Sequence, residues 1–191
     1  MSSATAEIPG YLPGTWRIDP ARSELRVTVT HLGLSTVRGR IGSVEGEIVV
    51  GEDPAECRVA AIIDLRTIDT RSKGRDEAIR SDRLLRVAEF PTAAYRSTDV
   101  RPDPAATAPG AFVLGGDLTF MGTTVRVPLR LCFDGVVTDT AGRARPCFTA
   151  RGVFARRDFG LRYRVQPAFL DGAIGRVVTV EACIEGTPGP S

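Results

Sequence analysis

The chain has 191 residues, of which 42% are hydrophobic and 25% are charged, proportions that are typical of a globular domain and exclude a disordered or low-complexity protein. Its 25 basic and 23 acidic residues give a formal net charge of +2, which is too small to indicate nucleic-acid binding. No apolar run reaches the ~18 residues that a membrane-spanning helix needs, so we expect no stable membrane insertion.

The N-terminal sequence and the cysteines indicate the expected cellular compartment. The first residues contain neither a basic start nor an apolar stretch, so we recognise no secretory signal and expect a cytoplasmic protein. The four cysteines are far apart and lack C-x-x-C spacing, which favours reduced thiols over a disulfide framework: Cys57, Cys132, Cys147 and Cys183. With His31 as the single histidine, a metal site with two His ligands is excluded, and we expect no metal or other cofactor.

Alternation of apolar and polar residues, the period of a β-strand, is the dominant pattern of the chain. It predicts strands at Glu24–His31, 37–41, Val44–Val50, 59–65, 93–97, 112–120, 125–133, 147–154 and 178–184. Met121 and Gly122 separate two of these strands and predict a hairpin. The one predicted helix covers residues 75–87, and the Pro- and Ala-rich stretch 102–110 is predicted to be a loop.

About eight strands with strict alternation indicate an antiparallel all-β protein, in which one face of each sheet lies toward the interior. Both a sandwich and a closed barrel satisfy this pattern. Closure removes exposed sheet edges, and a barrel of eight strands is just wide enough to hold a small ligand. The periodicity alone leaves both architectures open.

Several short motifs occur in a familiar order. The sequences WRID at 16–19 and VTHLGLSTVRG at 29–39, with Ser23 between them, resemble the opening of the YceI-like polyisoprenoid-binding family. The resemblance continues through IDT at 68–70, RD at 75–76, FP at 90–91, GDLT at 116–119 and RRDFGL at 156–161. The ordered set covers nearly the whole chain.

This resemblance implies an all-β fold, an extended lipocalin-like antiparallel β-barrel of about eight strands with one short helix near the barrel mouth. Family members bind isoprenoid chains or related amphiphiles in a long apolar pocket, commonly as dimers, and no catalytic reaction is established as their purpose. We therefore expect residues 15–186 to form a lipid-binding barrel between flexible segments 1–14 and 187–191. A long-chain isoprenoid or other lipid is the expected partner, together with a second copy of the chain.

The chain departs from the family's pattern at polar positions. Arg22 and Ala78 stand where the family has histidines, and Ala155 replaces an asparagine. Arg83 and Arg86 flank two leucines where the family has aspartates. Because the apolar positions are retained, these changes affect the inferred head group of the ligand more than the inferred fold.

Candidate pocket residues follow from strand parity and from the predicted helix. They are Leu25, Val27, Val29, Leu84, Leu85, Phe112, Leu114, Leu118, Phe120, Leu129, Leu131 and Phe133. Burying a chain of ~15 carbons would contribute roughly 12 kcal/mol at ~0.8 kcal/mol per CH₂, against an association cost of ~4–15 kcal/mol. An ordinary packed core would show the same alternation, so these apolar residues by themselves do not demonstrate a pocket.

Charged and titratable residues give the remaining hypotheses. Arg38, Arg75 and Arg156 are candidates for holding an acidic head group near the mouth. His31 could act as a general base with a serine, but no G-x-S-x-G elbow is present, so we predict no catalytic residues. Three functions remain: a non-catalytic carrier or sequestering protein, an enzyme acting on a hydrophobic substrate inside the barrel, and a structural or interaction protein without a ligand.

Overall fold

The computed structural model describes residues 8–31, 35–106, 109–161 and 174–189. This part of the chain contains one α-helix, α1 (Lys73–Arg80), and twelve β-strands. The strands are β1 (Gly14–Ile18), β2 (Glu24–His31), β3 (Ser35–Ile41), β4 (Val44–Val50), β5 (Arg58–Asp64), β6 (Ile68–Asp69), β7 (Thr92–Pro102), β8 (Ala111–Phe120), β9 (Thr123–Arg126), β10 (Leu129–Thr138), β11 (Ala144–Ala155) and β12 (Ile174–Pro188).

Eight of these strands form a closed antiparallel barrel. They follow the order β1-β4-β5-β7-β8-β10-β11-β12, and β12 pairs again with β1 to complete the ring. The other strands are attached to this ring. β2, β3 and β6 extend the sheet from β12, and β9 pairs with β8. The predicted all-β barrel with one helix is therefore confirmed.

The long strand β12 closes the barrel differently at its two ends. Its last residues pair with β1, where Gly186 lies opposite Ile18, and its middle pairs with β2, where Val180 lies opposite Val27. At this second end the wall continues through β3 and the short β6, which leads into α1. The helix therefore stands at the end of the barrel where β2, β3 and β6 complete the wall.

The turn between β8 and β9 has the predicted hairpin form. Met121 has φ 49° and Gly122 has φ 72°, so both central residues occupy the left-handed region. A two-residue hairpin of this kind matches the right-handed twist of its strands, and glycine adopts the required conformation without a steric cost.

The predicted strand at 125–133 is two strands in the structure, which corrects the sequence prediction. The break falls at Pro128, which has no backbone N–H to donate to a sheet. The carbonyl oxygen of Val127 accepts a hydrogen bond of 3.1 Å from the Tyr95 hydroxyl. The alternation continues through the break, and for this reason periodicity did not reveal it.

The predicted helix at 75–87 begins and ends earlier than expected. The observed α1 covers Lys73–Arg80, and the chain then forms turns closed by hydrogen bonds from Leu84 N to Ser81 O and from Val87 N to Arg80 O. The Ser81 hydroxyl donates to the Ala78 carbonyl at 2.7 Å. Serine side chains that bond to nearby backbone groups compete with helix continuation, which accounts for the end of α1.

The two terminal segments also contribute to the barrel. Thr187 and Pro188 pair with Arg17 and Trp16, so β12 extends two residues into the segment expected to be a flexible tail. Near the other terminus, Ile8 is buried among core residues of β7 and β8.

Candidate functional site: an apolar cavity in the barrel

The barrel encloses a cavity of about 660 Å³. This volume is within the range of ~300–1,000 Å³ that is usual for small-molecule sites. Aliphatic and aromatic side chains from both the barrel strands and α1 form most of its wall. In the described part of the chain, two lining residues are charged, Arg75 and Arg156.

The inward faces of β10 and β12 show that the interior is hollow and not packed. Leu129, Leu131, Val180 and Ile184 all line the cavity, yet their side chains are only half-buried. In a close-packed core such residues would be almost completely buried. Their remaining exposure arises because they face an open internal space.

All twelve apolar residues predicted from strand parity and from the helix lie on the wall of this cavity. Leu25, Val27 and Val29 reach it from β2, and Leu84 and Leu85 reach it from the turns after α1. Because strand side chains alternate between two faces, their parity predicts which ones turn inward. Their contact with a ligand stays a prediction.

The end of the barrel away from α1 is closed by residues that the sequence analysis missed. Tyr11 packs edge-on against Phe133, with ring centroids 6.3 Å apart, and its hydroxyl donates to the Gly51 carbonyl at 2.8 Å. The same hydroxyl lies 3.4 Å from the Cys57 Sγ atom. Residues 8–12 have no alternating pattern, so periodicity gave no signal for this closure.

The described lining residues indicate which end of the barrel opens to solvent. Among its described lining residues, Arg75 and Ala78 are the exposed ones, and both belong to the helix. Leu84 and Leu85 are half-buried at the same rim. We call this end of the barrel the mouth.

A hydrogen-bond network holds α1 at the mouth. The Arg75 guanidinium donates from Nε to Thr70 Oγ1 and from Nη2 to the Thr70 carbonyl, both at 2.8 Å. The buried Asp76 carboxylate accepts from the Thr70 hydroxyl at 2.5 Å and from the Thr70 backbone N–H at 2.9 Å. These hydrogen bonds from Thr70, the side-chain one above all, lower the pKa of Asp76. The network orients Arg75 at the edge of the cavity.

The three arginines considered for head-group binding have different positions. Arg75 and Arg156 line the cavity, whereas Arg38 does not. Arg38 lies between Val37 and Gly39 on β3, and because both of these neighbours face the cavity, its exposed side chain is on the outer face. The head-group hypothesis is therefore kept for Arg75 and Arg156 and withdrawn for Arg38.

Two tyrosines are among the titratable groups of the described cavity wall. Burial raises the pKa of Tyr95 and, together with its contact to Cys57, the pKa of Tyr11. Both phenols therefore stay protonated at neutral pH.

Ser23 directly precedes β2 and His31 is its last residue, about 26 Å apart at ~3.3 Å per residue, so these two cannot belong to one catalytic set. Ser35, the other serine considered with His31, lies opposite it in the register of β2 and β3.

Motif residues at the closed end serve the fold. Asp19 N–H donates to the Glu185 carbonyl at 2.9 Å, and Glu185 N–H donates to the Ser23 hydroxyl at 3.1 Å. These bonds fasten the turn between β1 and β2 to β12. At the mouth, Phe159 is buried against Phe120 and Phe154. The ordered motifs therefore mark positions that close and cap the barrel.

The fold and the site define a closed antiparallel β-barrel with a hollow apolar interior and a helix at its mouth. The family model of the YceI-like domain matches residues 16–186. A UPF0312 protein of Yersinia enterocolitica is 33% identical over 141 residues, which cover 73% of this chain and 71% of that protein. A UPF0312 protein of Shewanella denitrificans is 30% identical over 159 residues, which cover 83% of this chain and 81% of that protein. The chain belongs to the YceI-like family.

Solved structures share the architecture at low sequence identity. BcnA of Burkholderia cenocepacia superposes with a TM-score of 0.69 at 16% identity, covering 89% of this chain and 99% of that one. A polyisoprenoid-binding domain from Saccharophagus degradans, implicated in plant cell wall breakdown, superposes with a TM-score of 0.68 at 17% identity. The match covers 93% of this chain and 100% of that one. Within the described residues, no helix has both the length and the apolar character that crossing a membrane requires.

Proposed function

We propose that this protein binds a long-chain isoprenoid or similar amphiphilic lipid in the barrel cavity, as a non-catalytic carrier or sequestering protein. The observation that carries the proposal is the continuous apolar cavity of about 660 Å³, whose wall extends from Tyr11 to the exposed residues of α1. At about 30 Å³ for each water-sized group, this volume has room for on the order of 20 carbon-sized groups. Membership of the YceI-like family, and the binding named for the Saccharophagus domain, support the same proposal.

The energetics favour a ligand with a long hydrocarbon chain. Each buried CH₂ contributes ~0.8 kcal/mol, so affinity grows with every carbon that enters the cavity. A short apolar molecule would gain too little to offset the cost of association, which is ~4–15 kcal/mol. Length of the chain, more than the chemistry of its head group, is therefore the main determinant of affinity in this proposal.

The two charged residues of the wall suggest how a polar end would be placed. Arg75 is at the mouth, where a phosphate or other acidic group could remain hydrated while its chain lies inside. The described wall deeper in the barrel, away from Arg75 and Arg156, is uncharged. We therefore infer that the hydrocarbon chain of the ligand enters the cavity first and that its head group stays near the mouth.

The proposal is tested by extracting gently purified protein with organic solvent and analysing the extract by mass spectrometry. A co-purifying lipid at close to one molecule per chain is the expected result. Repeated absence of lipid, together with no uptake of an added polyprenol, would contradict the proposal and favour a barrel without a ligand. The expected cytoplasmic location and homodimer are separate predictions, which cell fractionation and analytical ultracentrifugation would check.

A further inference from the structure

Among the residues that the structure describes, the mouth carries exposed cations without a carboxylate partner. Six basic and three acidic residues lie between positions 71 and 86, and one of the acids, Asp76, is buried in its hydrogen bonds to Thr70. Arg71, Lys73 and Arg83 are exposed, and none of them forms an ion pair with a carboxylate in the described ranges. The positive charge of this rim is therefore available to an external partner.

Several exposed arginines on the barrel wall are paired with carboxylates. Arg26 pairs with Glu24 and Glu181, and Arg151 approaches the same Glu181 at 3.1 Å. Arg130 pairs with Asp103 at 3.3 Å. Arg17 and Arg96 on the wall also lack an ion pair among the described residues, but the segment 71–86 concentrates six basic residues against three acidic ones at the mouth.

Apolar side chains accompany these cations. Ile79, Leu84 and Leu85 line the cavity at the rim and are only half-buried. Association with a membrane interface depends on exposed apolar area together with attraction to anionic lipids, and the rim offers both kinds of side chain. Neither feature requires a segment that crosses the bilayer.

We propose that the mouth rim, defined by Arg71, Lys73, Arg75, Arg83 and Leu84, docks on the surface of a bilayer that contains anionic phospholipids. Basic side chains close to an anionic leaflet are attracted by its negative surface potential. Docking at this end places the cavity opening against the bilayer, so a lipid chain can pass between them without crossing water. This inference rests on the proposed function, since it gives the route by which the ligand enters.

The test is co-flotation of lipid-free protein with vesicles of phosphatidylcholine alone and with vesicles of equimolar phosphatidylcholine and phosphatidylglycerol. We expect binding to the anionic vesicles that decreases as salt is added, and at least tenfold weaker binding to the neutral ones. The charge reversal Lys73→Glu with Arg83→Glu should reduce binding to anionic vesicles at least tenfold. The neutral pair Lys73→Gln with Arg83→Gln repeats the test with less risk to folding.

The matched control reverses two exposed arginines of the barrel wall that also lack an ion pair among the described residues, Arg17→Glu with Arg96→Glu. It changes the net charge equally and should retain most of the vesicle binding. Equal binding to both vesicle types, absence of binding, or equal losses in the mouth and control variants would overturn the docking proposal. Polyprenol binding in detergent, measured on the same proteins, tests the cavity separately, because it does not depend on a bilayer.

Discussion

Asp19 and Arg145, 126 residues apart in the chain, form an ion pair that joins the turn between β1 and β2 to β11. The side chain of Arg145 is 7% exposed and also pairs with Glu185 on β12. Three segments that are distant in sequence are therefore held together at the point where β1 completes the ring. The same turn is fastened by Ser23 to the backbone of β12.

We expect Arg145→Met to lower the free energy of unfolding by roughly 3 kcal/mol, because it leaves the partly buried carboxylates of Asp19 and Glu185 without their cation. A urea titration followed by the fluorescence of Trp16, the single tryptophan and a buried residue of β1, measures this loss. Arg157→Met is the matched control, since both members of its pair with Asp158 are exposed. Similar stabilities of the two variants would show that the buried network does not secure the barrel.

A second prediction concerns the space inside the barrel. Leu118→Trp places an indole in the cavity and should reduce the uptake of a long-chain polyprenol strongly, with a loss of stability below ~1 kcal/mol, because it fills open space. Overpacking a closed core would instead cost ~1–3 kcal/mol. Binding titration and urea unfolding of the same variant separate these outcomes.

The neighbouring Thr119 supplies the control for this substitution. Thr119 is exposed on the outer face of β8, and its side chain contacts Thr124 across the hairpin. Thr119→Trp adds the same ring to the same strand but outside the cavity, and should leave polyprenol uptake unchanged. If both variants lost uptake equally, the effect would come from the strand and not from the cavity.

The sequence predicted the direction of side chains better than it predicted the ends of elements. Leu25, Val27 and Val29 alternate with polar residues, and this period is decided locally by the geometry of a strand. The break at Pro128 was missed because the alternation continues across it. The break also depends on Tyr95, which is distant in sequence and whose hydroxyl donates a hydrogen bond to the Val127 carbonyl.

Hollowness itself could not be predicted from the residues. Leu131 and Val180 would have the same identity and parity in a filled barrel, and the difference depends on the diameter of the closed ring. The closure at Tyr11 and Cys57 was also missed, because it joins two segments 46 residues apart that carry no periodic pattern. The family motifs indicated the architecture, but Arg38 shows that a motif position does not establish a role in the cavity.

The head-group hypothesis makes a prediction about ligand charge. Arg75→Gln should weaken the binding of a prenyl pyrophosphate about tenfold or more, because a charge-assisted contact is lost, and should leave the binding of the corresponding neutral alcohol nearly unchanged. Isothermal titration of both ligands gives the ratio of their dissociation constants. Arg38→Gln, on the outer face of β3, is the control and should preserve the ratio. Equal affinities of the two ligands for the wild type would exclude a role for charge.

The contact between Asp76 and Thr70 predicts a dependence of stability on pH. The pKa of Asp76 in the folded protein is below its ordinary value of 3.8, mainly because of the hydrogen bond from the Thr70 side chain. The stabilisation from the ionised form is therefore complete above that ordinary value and is lost as the pH falls through the lowered pKa.

Asp76→Asn should accordingly be about 2 kcal/mol less stable than the wild type at pH 7, as expected for a hydrogen bond to a charged group. The difference should become smaller as the pH falls below about 4. Unfolding by urea at a series of pH values measures it. Glu77→Gln, an exposed position of the same helix, should differ little from the wild type throughout. A difference for Asp76→Asn that did not vary with pH would indicate a role for shape and not for charge.

The central claim is that the barrel contains a finite apolar space for one lipid chain. The most direct measurement is the dissociation constant of delipidated protein for polyprenols of increasing length. We predict binding at one molecule per chain, with affinity that rises for each added isoprene unit and levels off near about 20 carbons, when the cavity is full. An affinity that did not depend on chain length, or the absence of saturable binding, would contradict the account.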